Sequence, residues 1–158
     1  MVTAKEAIDD FLAQPRIAVA GVSRQAAGHG GNVVYKRLRE RGYQVFAVNP
    51  HADVVEGDPC YRDLRSIPGG VDAVVIATAP DAAEAVAREC GELGITRVWM
   101  HRSFGTGSVS DAAHDYCRAN GIASIAGGCP LMYGRTSDGG HRMMRWWLGL
   151  VGRLPREA

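Results

Sequence analysis

The stretch IAVAGVSRQAAGHGGN, residues 17–32, limits what this chain can fold into more than any other. Ile17 to Ala20 are small or β-branched apolar residues, suited to a strand covered on both faces. Gly21 permits a sharp turn. Gly28, Gly30 and Gly31 carry no Cβ and so let backbone approach a ligand closely. Strand, glycine-rich loop and helix start, in that order, make a phosphate-binding turn of an α/β domain.

The rest of the chain repeats that plan. Thr3 and Glu6 have the spacing of a capping box, which predicts a helix over 4–12 with Ala7, Ile8, Phe11 and Leu12 on one face. Val33, Val34 and Leu38 mark a helix that runs to Arg41 and stops at Gly42. Strands are expected at 44–48, 71–78, 97–100 and 122–126, with a short edge strand at Val54-Val55 and one helical turn over 61–67. Asp81 and Ser110 are the expected caps of two further helices. The first turns Ala82, Ala83, Val86, Cys90 and Leu93 inward; the second turns Ala113, Tyr116 and Cys117 inward. A last helix is expected over 138–153. Alternating strands and helices predict one Rossmann-like, doubly wound, mainly parallel sheet with helices on both faces, spanning 1–158. Its strand C-terminal ends would gather Gly21-Val22-Ser23, Asn49-Pro50, Thr78-Ala79-Pro80, His101-Arg102-Ser103 and Gly127-Gly128-Cys129 at one edge.

Composition narrows the function classes. A net charge of +1 gives no field for nucleic acid or an acidic membrane surface. No apolar run is long enough to span a membrane, and the first residues lack a signal-peptide core. Cys60, Cys90, Cys117 and Cys129 form no C-x-x-C pair, so free thiols in a reducing cytoplasm are expected. The five histidines have no metal-ligand spacing, and no G-x-S-x-G elbow is present.

The loop departs from the dinucleotide fingerprint. Ser23 stands where G-x-G-x-x-G has its second glycine, and its Cβ and hydroxyl suit a hydrogen bond to phosphate rather than close passage of a pyrophosphate. The second strand ends at Asn49 instead of an acid, which weakens an NAD reading and leaves room for a phosphorylated ribose. NADP and coenzyme A both carry one. A P-loop is excluded, because no G-K-[ST] follows the glycines.

GVSRQAAGHGG after the first strand, VNP after the second, ATAP after the next and GGCP after the last together resemble the small CoA-binding proteins. That family is related to the N-terminal domain of the succinyl-CoA synthetase alpha chain. The resemblance covers roughly residues 15 to 134. It implies that Gly21, Val22, Ser23 and Arg24 hold the CoA phosphates, together with the loop residues Gly28, Gly30 and Asn32. It implies that Asn49 and Pro50 line the adenosine side. Thr78, Ala79 and Pro80 would flank the adenine or pantetheine path, and His101, Arg102 and Ser103 would lie near the pantetheine arm. Ala52 stands where the synthetase has a lysine, leaving Arg24, His29 and His51 as candidate cations. The synthetase's second domain, with its phosphorylated histidine, does not fit in 158 residues.

The expectation is a cytoplasmic protein that binds coenzyme A or an acyl-CoA without catalysis of its own, with homodimerisation open. The alternatives are an NADP-dependent oxidoreductase, with His101 as proton donor, and a CoA-sensing regulatory or interaction module. Two features carry sharper readings. Cys129 could form a mixed disulfide with the CoA thiol, although a small buried cysteine is the favoured reading. The tail HRMMRWWLGLVGRL could lie on a membrane, although packing of its Trp and Leu side chains on the sheet or on a dimer partner is favoured.

Overall fold

The computed structural model describes residues 2–25, 27, 29–102, 107–134, 139–152 and 154–155. Helix α1 (Ala4–Leu12) begins with the expected reciprocal cap: Thr3 N donates to Glu6 Oε2 at 2.8 Å, and Glu6 N donates to Thr3 Oγ1 at 3.2 Å. It leads into β1 (Arg16–Ala20), α2 (Gly30–Glu40) and β2 (Gln44–Val48). The hairpin β3 (Val54–Val55) and β4 (Asp58–Tyr61) follows, then β5 (Ala73–Ile76), α3 (Pro80–Glu92), β6 (Arg97–Met100), α4 (Asp111–Ala119) and β7 (Ala123–Ala126). A 3-10 turn at Pro130–Met132 and helix α5 (Gly139–Leu150) complete the order.

The sheet order is β3-β4-β2-β1-β5-β6-β7, parallel throughout except for the β3–β4 hairpin. The α/β expectation therefore holds. Chain direction across the sheet reverses between β1 and β5, where a crevice opens at the strand C-terminal ends. Alternate strand residues feed two cores. Ile17, Val19, Val75, Trp99 and Ile125 face α1, α2, the 3-10 turn and Leu148 of α5. Ala18, Ala20, Val74, Ile76, Val98 and Met100 face α3 and α4. Fully buried Trp99 satisfies its indole by donating Nε1–H to Gly127 O at 2.9 Å, and Phe11 meets its ring edge-on at 5.4 Å.

Several local expectations need correction. Strand β4 lies where the sequence had no strand; it takes in Tyr61, and 62–67 is bends and turns rather than helix. Ala79, not Asp81, is the N-cap of α3; Pro80 takes the first helical position, which suits its missing N–H. Ala83, Ala87 and Cys90 are the buried residues of α3, while Ala82 and Leu93 are exposed. Tyr116 is half-buried. On α5, Leu148 packs into the core, but Trp146 is 68% and Trp147 46% exposed, so neither indole packs fully on the sheet. The expected ends of that helix, 138 and 153, lie outside the described residues.

Candidate functional site

The crevice between β1 and β5 is built by the absence of side-chain atoms. Gly21 leaves β1 with φ +99°, and a Cβ there would sit 2.6 Å from Ala77 O and 2.8 Å from Thr78 N. A Cβ on Gly31 would meet Gly21 O at 2.8 Å, and one on Gly30 would meet His101 Cε1 at 2.9 Å. The glycines thus bring the start of α2 against the ends of β1, β5 and β6.

Two helices point their N-termini into this crevice. His29 is the N-cap of α2 and Ala79 that of α3, and neither helix start has a side-chain capping bond. The first amides of α2, on Gly30, Gly31 and Asn32, have no helical carbonyl to bond. Aligned peptide dipoles add partial positive charge at both starts, the condition under which phosphate binds.

A cavity of about 450 Å³ lies on the β5 side, walled by Gly30, Ala77, Thr78, His101, Cys129 and Met144 among others. A second, of about 460 Å³, lies on the β2 side, lined by Ser23, Arg24, Gln25, Asn49 and His51. Both fall in the range of small-molecule sites. A larger cavity of about 730 Å³, between Asp9, Arg41, Tyr43 and Tyr133, sits at the opposite edge of the sheet. It faces the C-terminal ends of α1 and α2, where the dipoles disfavour phosphate.

The loop from Gly21 to α2 is tied from inside. Asn32 is buried; its Oδ1 accepts from Ser23 N at 2.8 Å, and its Nδ2 donates to Ser23 O at 2.8 Å. Ser23 Oγ accepts from Gln25 N at 3.0 Å, keeping its own hydroxyl proton available to a ligand. Asn49 donates Nδ2–H to Val22 O at 3.0 Å and accepts from His51 N at 2.8 Å, joining the ends of β1 and β2. Thr78 Oγ1 donates to Ala79 O at 3.1 Å at the head of α3. Burial pushes the His101 imidazole down to about 4, so the ring in the cavity wall is neutral at neutral pH.

The expected site residues separate accordingly. Ser23, Arg24 and Asn49 line one cavity; Gly30, Thr78, Ala79 and His101 line the other. Val22 is wholly buried, and its carbonyl accepts from Asn49 Nδ2. Asn32 spends its side chain on holding the loop. Pro50, Pro80 and Arg102 line neither cavity; Arg102 forms a bridge with Gly128, its N donating to Gly128 O at 2.8 Å. His51 joins Arg24, whereas His29 is at the exposed helix start. Gly28 and Ser103 lie outside the described residues. Ser108, His141 and Met144 line the β5-side cavity without having been expected there. His141 and Met144, three apart on α5, are the signal that could have found them, but nothing local says which way that face turns.

Among the described residues no group of three or more His, Cys, Asp or Glu could hold a metal ion, and no helix is long and apolar enough to cross a membrane.

Comparison with known proteins bears on the family and the fold. The chain is 35% identical over 91 residues to the alpha subunit of ADP-forming acetate–CoA ligase II from Pyrococcus furiosus, which covers 56% of this chain and 20% of that protein. It is 33% identical over 88 residues to ADP-forming acetate–CoA ligase II of Archaeoglobus fulgidus, covering 54% of this chain and 13% of that protein. The chain thus spans a fifth or less of the length of these ligases. A hypothetical protein from Pyrococcus horikoshii superposes with TM-score 0.72 at 24% identity, covering 82% of this chain and 87% of that one, which speaks to the fold. The CoA binding domain model matches residues 15–135, and the chain belongs to the CoA binding domain family.

Proposed function

We propose that the chain binds coenzyme A, free or acylated, across the crevice between β1 and β5, and catalyses no reaction of its own. One observation carries this reading: two uncapped helix starts meet at bare glycines, at the switch point of a CoA binding domain. The diphosphate would take the amides of Gly30, Gly31 and Asn32 and the Ser23 hydroxyl. Arg24 and His51 would face the phosphorylated ribose beside Asn49 and Pro50, in place of the lysine that Ala52 replaces. The pantetheine arm would run past Thr78 and Ala79 toward His101, the residue before Arg102 and Ser103 in the chain. Neutral His101 can exchange one hydrogen bond with an amide of that arm without placing a buried charge there. A reductase would need the same ring to begin as imidazolium, which burial disfavours.

Thermal unfolding with CoA, dephospho-CoA and NADPH tests the proposal. CoA at a hundredfold excess over its Kd adds about 2.7 kcal/mol, a rise of roughly 5–10 °C for a domain of this size. NADPH shifting Tm further than CoA would transfer the site to the oxidoreductase alternative.

A second reading, a CoA-sensing interaction module, is favoured by α5. That helix presents His141 and Met144 to the cavity while Met143, Trp146 and Leu150 face outward. Light scattering with and without CoA checks it: an unchanged mass in a mixture with candidate partners, and no self-association, argues against it. The reading places the protein in the cytoplasm, where CoA is found.

A further inference from the structure

The hairpin joining β3 to β4 turns through Glu56 and Gly57, with φ of +51° and +81°. Two consecutive left-handed residues make a turn of the I′ kind, in which Asn-Gly is strongly preferred. Here the first place is held by glutamate, and among the described residues Glu56 is the only non-glycine with positive φ. A residue kept in an unfavourable backbone conformation invites the question of what its side chain does.

That side chain turns inward, 12% exposed. Oε1 accepts from Asn32 Nδ2 at 2.9 Å, and Oε2 lies 3.7 Å from Lys36 Nζ. Asn32 is the residue whose amide clasps both backbone polar groups of Ser23. The two ends of an asparagine amide have nearly the same shape. Turned over, Asn32 would present Nδ2 to the Ser23 N–H, and Oδ1 to the Ser23 carbonyl and to Glu56. A carboxylate only accepts, so it penalises the reversed amide strongly. The chain of contacts runs from the sheet edge, through α2, to the loop at the crevice.

We propose that Glu56 is a positioning residue for ligand binding: its carboxylate fixes the Asn32 amide, and Asn32 thereby holds Ser23 in the conformation that meets phosphate. This rests on the CoA reading for the identity of the ligand. The hairpin does not depend on this contact for its docking. Tyr35 Oη donates to Asp58 Oδ2 at 2.7 Å, Arg39 pairs with the same carboxylate, and Arg39 Nη1 donates to Glu56 O at 3.2 Å. Side-chain loss at Glu56 can therefore be separated from loss of the hairpin.

The experiment uses the full chain and three variants. Glu56→Gly suits the left-handed backbone and removes the carboxylate. It is expected to keep Tm, to speed hydrogen exchange of the Ser23 amide in the ligand-free protein, and to weaken CoA binding by about tenfold. Glu56→Gln can still accept from Asn32 but can also donate to the reversed amide, so its affinity is expected to fall between those of wild type and Glu56→Gly. In the Asn32→Ala background, Glu56→Gly should cost no further affinity, because both act through one contact. Wild-type Ser23 exchange and wild-type affinity in Glu56→Gly would overturn the proposal, as would a Gln variant no better than the Gly variant. If the wild-type chain does not bind CoA, the ligand reading fails; the Ser23 exchange rates then decide the positioning role alone.

Discussion

The two sides of the crevice are built by different means. On the β2 side, Ser23, Arg24, Asn49 and His51 sit on loops held by side-chain-to-backbone hydrogen bonds. On the β5 side, Ala77, Cys129, Leu131 and Met144 continue the packed core, and space exists beside Gly30 and Gly31 because glycines lack a Cβ. The first side can be altered in charge while the fold stands. The second cannot be altered without altering the fold, since cores close-packed to crystal density transmit added volume as strain.

The largest effect should come where the two sides meet. Gly21→Ala sets a Cβ 2.6 Å from Ala77 O and imposes φ +99° on an L side chain, for a loss of about 3 kcal/mol or more in urea unfolding. A variant of wild-type stability would break the claim that the crevice is made by backbone contact.

His101 separates the sides by pH. Its folded-state value is about 4 against an ordinary 6.5. Between those values the unfolded chain takes up a proton that the folded chain refuses. Its contribution is therefore complete above about pH 6.5 and is lost as pH falls to about 4, for a total of about 3 kcal/mol. His101→Gln should flatten that segment of the stability–pH curve. An unchanged slope would show that the buried ring is not its source.

Ser23→Asp addresses the polar side. A carboxylate against phosphate should weaken CoA binding by about 2 kcal/mol or more, roughly thirtyfold, while thermal stability changes little. Unchanged affinity by calorimetry would remove the diphosphate from this loop. The smallest effect belongs outside the crevice: Trp146→Ala, at a 68% exposed indole, should move stability by no more than about 0.5 kcal/mol. A larger loss would mean that α5 is covered by a second copy in solution.

Much of this was legible because the determinants are local. Thr3 with Glu6, Ser110 before Ala113 and the QVFAV strand are signals complete within a few residues, and all three stand where expected. Parallel topology then carries the loop residues to one edge without further information. What escaped depends on partners distant in sequence. Asp58–Tyr61 carries a proline and no apolar alternation, and becomes a strand only by pairing with β2 and β3. Asp81 looks like a cap, but Pro80 already supplies the first helical residue. Asn32 stands in the glycine loop, but nothing local says that its side-chain amide bonds Ser23 and Glu56, nine and twenty-four residues away. The entry of α5 into the cavity wall needed the return of the chain after the last strand.

Titrating 15N-labelled protein with CoA and following backbone amides tests the central claim most directly. Shifts should cluster at Ser23, Arg24, Gly30, Gly31 and Asn49 and at Thr78 and His101, on both sides of the crevice at once. Shifts confined to Asp9, Arg41, Tyr43 and Tyr133 at the opposite edge, or none at saturating CoA, would contradict it.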